Sequence, residues 1–83
     1  MIKINFDKKN KKSVAYDDNN IIGECIFIEN KEYWNIIHTE VDKLHQGKGI
    51  ARKLVEKIIK EAKKNNKILI SECSYAKRII EEK

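Results

Sequence analysis

A mixed α/β domain of the α+β kind is what this sequence predicts, and the prediction rests on a change of period partway along the chain. Up to Val41, apolar residues alternate with polar ones or run in short β-branched stretches. From Ile50 they recur at helical spacing, and a further strand-like run and a further helical run follow. The expected order is four strands joined by hairpins into an antiparallel sheet, then a helix, a parallel fifth strand and a short terminal helix. Residues 1–83 are expected to form one domain, because 83 residues bury a single modest core.

Ile2, Ile4 and Phe6 alternate with polar residues, as in a first strand with one face in solvent. Lys8 to Lys12 is a polar turn. Ser13 to Asp18, "SVAYDD", is a short second strand closed by Asp17, Asp18, Asn19 and Asn20, whose side chains bond their own backbone in turns. Ile21 to Glu29, "IIGECIFIE", is β-branched and aromatic, hence a third strand, and "NKE" has the length of a hairpin turn. Tyr33 to Val41 is the fourth strand. Ile50, Leu54, Val55, Ile58, Ile59 and Ala62 then lie at offsets of 4, 5, 8, 9 and 12 from the first, which is one stripe of a helix. Asn65 and Asn66 suit its end, since asparagine tolerates the left-handed conformation. Lys67 to Cys73 is the fifth strand. Ser74 to Lys83 opens on a capping serine and continues as a helix. Strands four and five flank a helix, so they should run parallel, with ligands collecting at their carboxyl ends.

Composition narrows the function classes. Hydrophobic residues make up 41% of the chain, enough to fold. The two cysteines, Cys25 and Cys73, form no framework, and with His38 and His45 they show no metal-ligand spacing, so a reduced cytoplasmic protein without metal is expected. No apolar run approaches a membrane span. The net charge of +5 raises nucleic-acid binding as a reading, but only Arg52 and Arg78 are arginines, the side chain that reads base edges. The helix face carrying Lys53, Lys57, Lys60 and Lys64 is interrupted by Glu56 and Glu61, as a solvated face would be.

Function is concentrated where strand four gives way to the helix, in "VDKLHQGKGIARKL". Gly47 and Gly49 immediately precede the helical stripe, where free backbone N–H groups and the positive end of the helix dipole attract phosphate. Glycine lets the chain turn tightly and lets an anion approach the backbone, while Lys48 and Arg52 add positive charge. The adenosine-triphosphate loop requires Ser or Thr after Gly-Lys, and Gly49 stands there instead. The dinucleotide fingerprint finds Gly47, Gly49 and an acid at Glu72, but Arg52 replaces its third glycine.

Gln46-Gly47-Lys48-Gly49-Ile50-Ala51 fits, at every fixed position, the acyl-CoA-binding loop of the GNAT acetyltransferases, and it lies between strand four and the next helix as that loop does. "IIHTEV", this loop, the helix and "CSYA" together resemble the small single-domain GNAT-like subfamily with a His-Thr-x-Val strand and a Cys-x-Tyr-Ala element. The resemblance implies that Gln46 to Arg52 bind the pyrophosphate of acetyl-CoA or CoA through the backbone of Gly47 to Ala51. It further implies that residues near Val41 bond the pantetheine between strands four and five. An amine of unknown identity would attack the thioester directly, with a backbone N–H of strand four polarising the carbonyl and a general base removing a proton. The strands with which the superfamily usually completes its acceptor side have no counterpart in these residues, so the resemblance supports the CoA half better than the transferase half, and a complete acceptor pocket would require a homodimer. A CoA-binding module without catalysis is the alternative, and a lysine-rich nucleic-acid binder the third reading.

Four residues are candidates for the chemistry. In a regular fourth strand Trp34, Ile36, His38 and Glu40 share one face, and a bulge would shift the set. His38 is either a general base or a hydrogen-bonded core residue. Glu40, nearer the loop, is the better base, or else a rim carboxylate paired with a lysine. Cys73 ends the fifth strand before a helix start, with Lys77 one turn on, a setting for a reactive thiolate or for a small thiol beside the pantetheine. Tyr75, in the first turn of the last helix, is placed to protonate the leaving thiolate. Cys25, inside strand three, belongs to the core.

Overall fold

Five strands form one sheet in the order β1-β2-β3-β4-β5 in the computed structural model, which describes residues 1–82. They are β1 (Ile2–Asp7), β2 (Lys12–Asp17), β3 (Asn20–Glu29), β4 (Tyr33–Val41) and β5 (Ile68–Ser71); the helices are α1 (Ile50–Lys64) and α2 (Ser74–Glu82). Lys83, expected in the last helix, lies outside the described residues. The first four strands pair antiparallel as successive hairpins, and β4 pairs parallel with β5 across α1, as the pattern of periods predicts.

The hairpins turn where short polar side chains can bond the backbone. Asp7 accepts the Asn10 N–H at 3.0 Å, and Asn30 accepts the N–H groups of Glu32 and Tyr33 at 3.0 and 2.9 Å. Lys11, just before β2, and Asp18, just after it, take φ of 56°, and the second ends β2 at Asp17, one residue earlier than the sequence suggests.

One face of the sheet carries the core. All six stripe residues of α1 are buried, against Ala15, Ile22, Cys25, Phe27, Trp34 and Ile36, and Ala76 and Ile79 of α2 join the same cluster. Phe6, Phe27 and Trp34 stack, with ring centroids 4.4 Å apart for Phe27 and Trp34. The buried Ser13 hydroxyl is satisfied by donating to the Leu54 carbonyl at 2.9 Å. On the opposite face Ile28, Ile68 and Ile70 remain exposed.

An irregularity in β4 sets the site. Phe27 pairs with Ile36 but Ile26 pairs with His38, so Ile37 is an extra residue and the strand bulges there. The insertion reverses the alternation. Trp34 and Ile36 face the helices, then Thr39 and Val41 do, while His38 and Glu40 turn to the open face. The expectation that Trp34, Ile36, His38 and Glu40 share one face is therefore corrected, and His38 is not a core residue: it is 53% exposed.

Strand five is shorter than Lys67 to Cys73 for the same reason. Its register with β4 ends at Ile36 opposite Ser71, where the bulge begins, and the Ile36 carbonyl accepts the N–H groups of Glu72 at 2.9 Å and Cys73 at 3.4 Å. The start of α2 also differs from expectation. Ser74 is already helical and Cys73 is the residue whose carbonyl accepts the Lys77 N–H, so the serine expected as cap lies inside the helix; ahead of it the Ser71 hydroxyl accepts the Cys73 N–H at 2.9 Å in a serine turn.

Candidate functional site

Beyond Ile36 the two parallel strands part, and β4 runs on to Val41 with no neighbour in β5. Backbone groups of successive residues in a strand point to opposite sides, and the Asp42 N–H reaches back to Ile22 in β3 at 2.7 Å. The N–H and C=O groups of Thr39 and Val41 therefore aim into the gap. A cavity of about 590 Å³ lies there, lined by Thr39, Glu40, Val41, Gln46, Ala51 and Tyr75. A second, of about 280 Å³, shares Val41, Gln46, Ala51 and Tyr75 and extends to Gly47, Gly49 and Ile50. Strand edge and glycine loop thus border one continuous cleft.

The loop itself is built for exposed backbone. After the 3-10 turn Lys43–His45, Gly47 and Gly49 take φ of 83° and 76°, the left-handed region that costs other residues ~1–2 kcal/mol. Gly49 is the N-cap of α1, and no side chain caps that end. The first helical bond runs from Lys53 to the Gly49 carbonyl, which leaves the N–H groups of Ile50, Ala51 and Arg52 without a helical acceptor. A Cβ placed on Gly47 or Gly49 would meet nothing within 4 Å, so the space over the loop is open. A pyrophosphate fits this arrangement: unpaired donors, a helix dipole and no side chain in the way.

The structure gathers most of the sequence-predicted site. Val41, Gln46, Gly47, Gly49, Ile50 and Ala51 line the cleft, and exposed Lys48 sits between the glycines. Gln46 donates from its side chain to the Val41 carbonyl at 3.3 Å, tying loop to strand edge. Arg52 differs. Its guanidinium grips Glu82 of α2 with bonds of 2.9 and 3.1 Å, so it offers the loop its backbone N–H and no free charge.

Among the chemical candidates, Glu40 and Tyr75 border the larger cavity. His38 is not among the residues lining that cavity, and its Nε2 stands 3.6 Å from Glu40 Oε1, so the group beside Glu40 is an imidazole and not the lysine of the alternative reading. Cys73 lies on the helix-facing side, where its thiol donates to Thr39 Oγ1 at 3.9 Å and Thr39 in turn donates to Cys25 Sγ at 3.4 Å. Burial raises the Cys25 thiol to about 11, that of an inert core cysteine.

Two residues escape the sequence reading. Thr39, read only as part of a motif, stands between the two thiols at the gap. His45, considered only as a metal ligand, places Nδ1 3.0 Å from Asp42 and Nε2 3.1 Å from Asp17. The first would have needed the bulge to be foreseen, and the second a contact across 28 residues.

A half-covered sheet whose parallel strands part beside an uncapped, glycine-led helix start defines an α/β domain with a free strand edge and a free helix start in one cleft. Residues 12–83 match the family described as GCN5-related N-acetyl-transferase, and the chain belongs to that family. No curated protein gives a match. Solved structures do. One, from Staphylococcus aureus and described as a GCN5-like protein proposed to be an N-acetyltransferase, is 29% identical with a TM-score of 0.72, over 96% of this chain and 78% of its own. A ribosomal-protein-alanine N-acetyltransferase from Brucella melitensis biovar Abortus 2308 is 26% identical with a TM-score of 0.67, over 72% of this chain and 45% of its own. A GNAT family acetyltransferase from Elizabethkingia anophelis, solved with acetyl-CoA bound, shares the fold at 22% identity and a TM-score of 0.68, over 86% of this chain and 50% of its own. The chain thus spans about half the length of the last two.

Proposed function

We propose that the domain binds acetyl-CoA in the cleft between β4 and β5 and transfers the acetyl group to an amine. The observation that supports this best is the meeting of two donor sets in one cleft: the unpaired N–H groups at the start of α1 and the free edge of β4 at Thr39 and Val41. The first set suits a pyrophosphate and the second an extended amide-bearing arm such as pantetheine. A bound molecule with both features would bring its thioester toward the parting of the strands, near Thr39 and Cys73.

In this reading Glu40, at the cleft border, takes a proton from the ammonium of the acceptor, directly or through water, and His38 beside it helps carry that proton to solvent. The amine lone pair then attacks the thioester carbon, a β4 N–H stabilises the developing oxyanion, the carbon–sulfur bond breaks, Tyr75 gives a proton to the thiolate, and the surplus proton on the new amide nitrogen passes through water to restore the phenol. Cys73 packs beside the reacting sulfur without forming a bond to the acyl group.

Calorimetric titration with acetyl-CoA, using NAD and ATP as controls, is the decisive measurement. Saturable binding of acetyl-CoA alone is expected, together with thiol release that depends on an added amine. Binding without amine-dependent release across a broad amine panel would leave a CoA-binding module. Absence of binding would reduce Gly47 and Gly49 to a helix cap and end the transferase reading.

A further inference from the structure

We propose that His45 is the positioning residue of the anion-binding loop, a proton-dependent clamp that fixes Lys43–Gly49 to the β2–β3 hairpin. The inference rests on the CoA reading above for its function and on this chain's own contacts for its geometry.

From Asp42 to Gly49 every residue is exposed except His45, which is 17% exposed. The other bonds of the segment are local or reach its root: His45 N–H to the Asp42 carbonyl, Gln46 N–H to the Lys43 carbonyl, Gln46 to Val41, and Asp42 to Ile22. Among the described residues, the imidazole alone ties the turn itself to another hairpin, through Asp17 Oδ2 at 3.1 Å. Its other nitrogen returns to Asp42 Oδ2 at 3.0 Å. A ring held at both ends fixes where the backbone of Gln46 and Gly47 begins, and hence where the donors of the loop point.

Both acceptors are carboxylates, and this makes the clamp depend on a proton. A neutral imidazole donates from one nitrogen and presents a lone pair at the other, so only the imidazolium satisfies Asp17 and Asp42 together. The charged groups around it are Asp42 on the loop, Asp17 at the end of β2, and the α-amino group of Met1, which holds Asp17 Oδ1 at 3.2 Å and Asp18 at 3.4 Å. The bond from His45 is also the main reason the Asp17 carboxyl titrates below its ordinary value. Loss of the proton turns one of the two contacts from attractive to repulsive and releases one side of the turn.

The test is calorimetry of the full chain with CoA, repeated from acid to alkaline pH, on the parent, His45→Asn and His45→Arg. The parent should lose affinity as the imidazolium deprotonates, relative to His45→Arg, whose side chain donates throughout and which shares any titration of CoA itself. His45→Asn, with a single amide donor group, should bind about tenfold more weakly than the parent on the acid side, as loss of a charge-assisted bond implies, and should lack the histidine step. A parent profile parallel to that of His45→Arg, with His45→Asn binding like the parent, would overturn the proposal. Should the parent bind no CoA, the functional reading fails separately, and the clamp is judged by NMR. Asp17→Asn should then move the His45 ring resonances and the backbone amides of Lys43–Gly49; amides that stay in place would refute it.

Discussion

The Glu72 N–H donates to the Ile36 carbonyl at 2.9 Å, and that bond is where β4 and β5 part company. One residue later in β4 the chain bulges at Ile37, so the same point both ends the parallel pairing and turns Thr39 and Val41 toward the helices. A continuous sheet would have closed the cleft with its own hydrogen bonds. The bulge leaves a strand edge open in the middle of the molecule, where an exposed edge is protected from other chains by α1 and α2 yet free for an extended ligand.

Substitution at Gly49 separates charge from backbone cost. Its φ of 76° penalises any side chain by ~1–2 kcal/mol, and the space a side chain would enter is empty. Gly49→Gln and Gly49→Glu share size and strain, so both should unfold at similarly lowered urea concentrations. Only Gly49→Glu puts a carboxylate where the pyrophosphate belongs, and its CoA affinity should fall at least about tenfold below that of Gly49→Gln, ~1.4 kcal/mol. Equal affinities for the two variants would mean that the loop holds no anion.

Gly23 is required for a different reason. A Cβ on this β3 residue would lie 2.9 Å from the Glu40 carbonyl oxygen, 3.2 Å from Val41 Cγ2 and 3.3 Å from Leu54 Cδ1. Backbone on one side and a core leucine on the other leave little room to yield, so Gly23→Ala should cost ~1–3 kcal/mol in chemical denaturation. Because the pressure falls on Glu40 and Val41, CoA binding should weaken as well. A stability within about 0.5 kcal/mol of the parent would show that the contact relaxes freely.

Much of this was legible in the sequence because the signals were local. The α1 stripe of Ile50, Leu54, Val55, Ile58, Ile59 and Ala62 is the buried set residue for residue, and Tyr33 to Val41 is β4. Gly47 and Gly49 announce left-handed turns because few other residues take them without strain. What escaped was non-local. The bulge at Ile37 follows from how β3 and β5 seat against β4, and no periodicity inside "YWNIIHTEV" reports it, so His38 and Glu40 were placed on the wrong face. The grip of Glu82 on Arg52 joins residues 30 apart, and the clamp on His45 needs Asp17 from an earlier hairpin.

The thiols give a direct reading of the gap. Cys25 is fully buried and its thiol is pushed up to about 11, whereas Cys73 is part-exposed at the start of α2. A thiol reagent at mildly alkaline pH should modify Cys73 in the native protein and reach Cys25 only on unfolding. Prior saturation with CoA should slow the first reaction. Cys73→Ala should keep amine acetylation within about tenfold of the parent, ~1.4 kcal/mol of barrier, since packing and not covalent attack is its assigned part. A variant that binds CoA normally yet transfers nothing would instead establish an acyl-cysteine route.

Asp17 makes folding itself sensitive to acid. The hydrogen bond from His45 holds its carboxyl below the ordinary carboxylate value, with the Met1 α-amino group adding to the effect. A folded-state value below the unfolded one, ~3.9, means that the unfolded chain binds the proton more readily. While His45 holds its proton, the contribution is therefore fully present above the unfolded value and disappears as pH falls through the folded one, so acid should erode stability in the region below about pH 4. Asp17→Asn removes the titrating group while keeping its size. Denaturation midpoints followed from neutral pH downward should show the parent more stable than the variant at neutral pH and the two converging in acid. Parallel curves over the whole range would mean that Asp17 is solvated as freely in the folded chain as in the unfolded one, and that the contact with His45 contributes nothing to holding the hairpin.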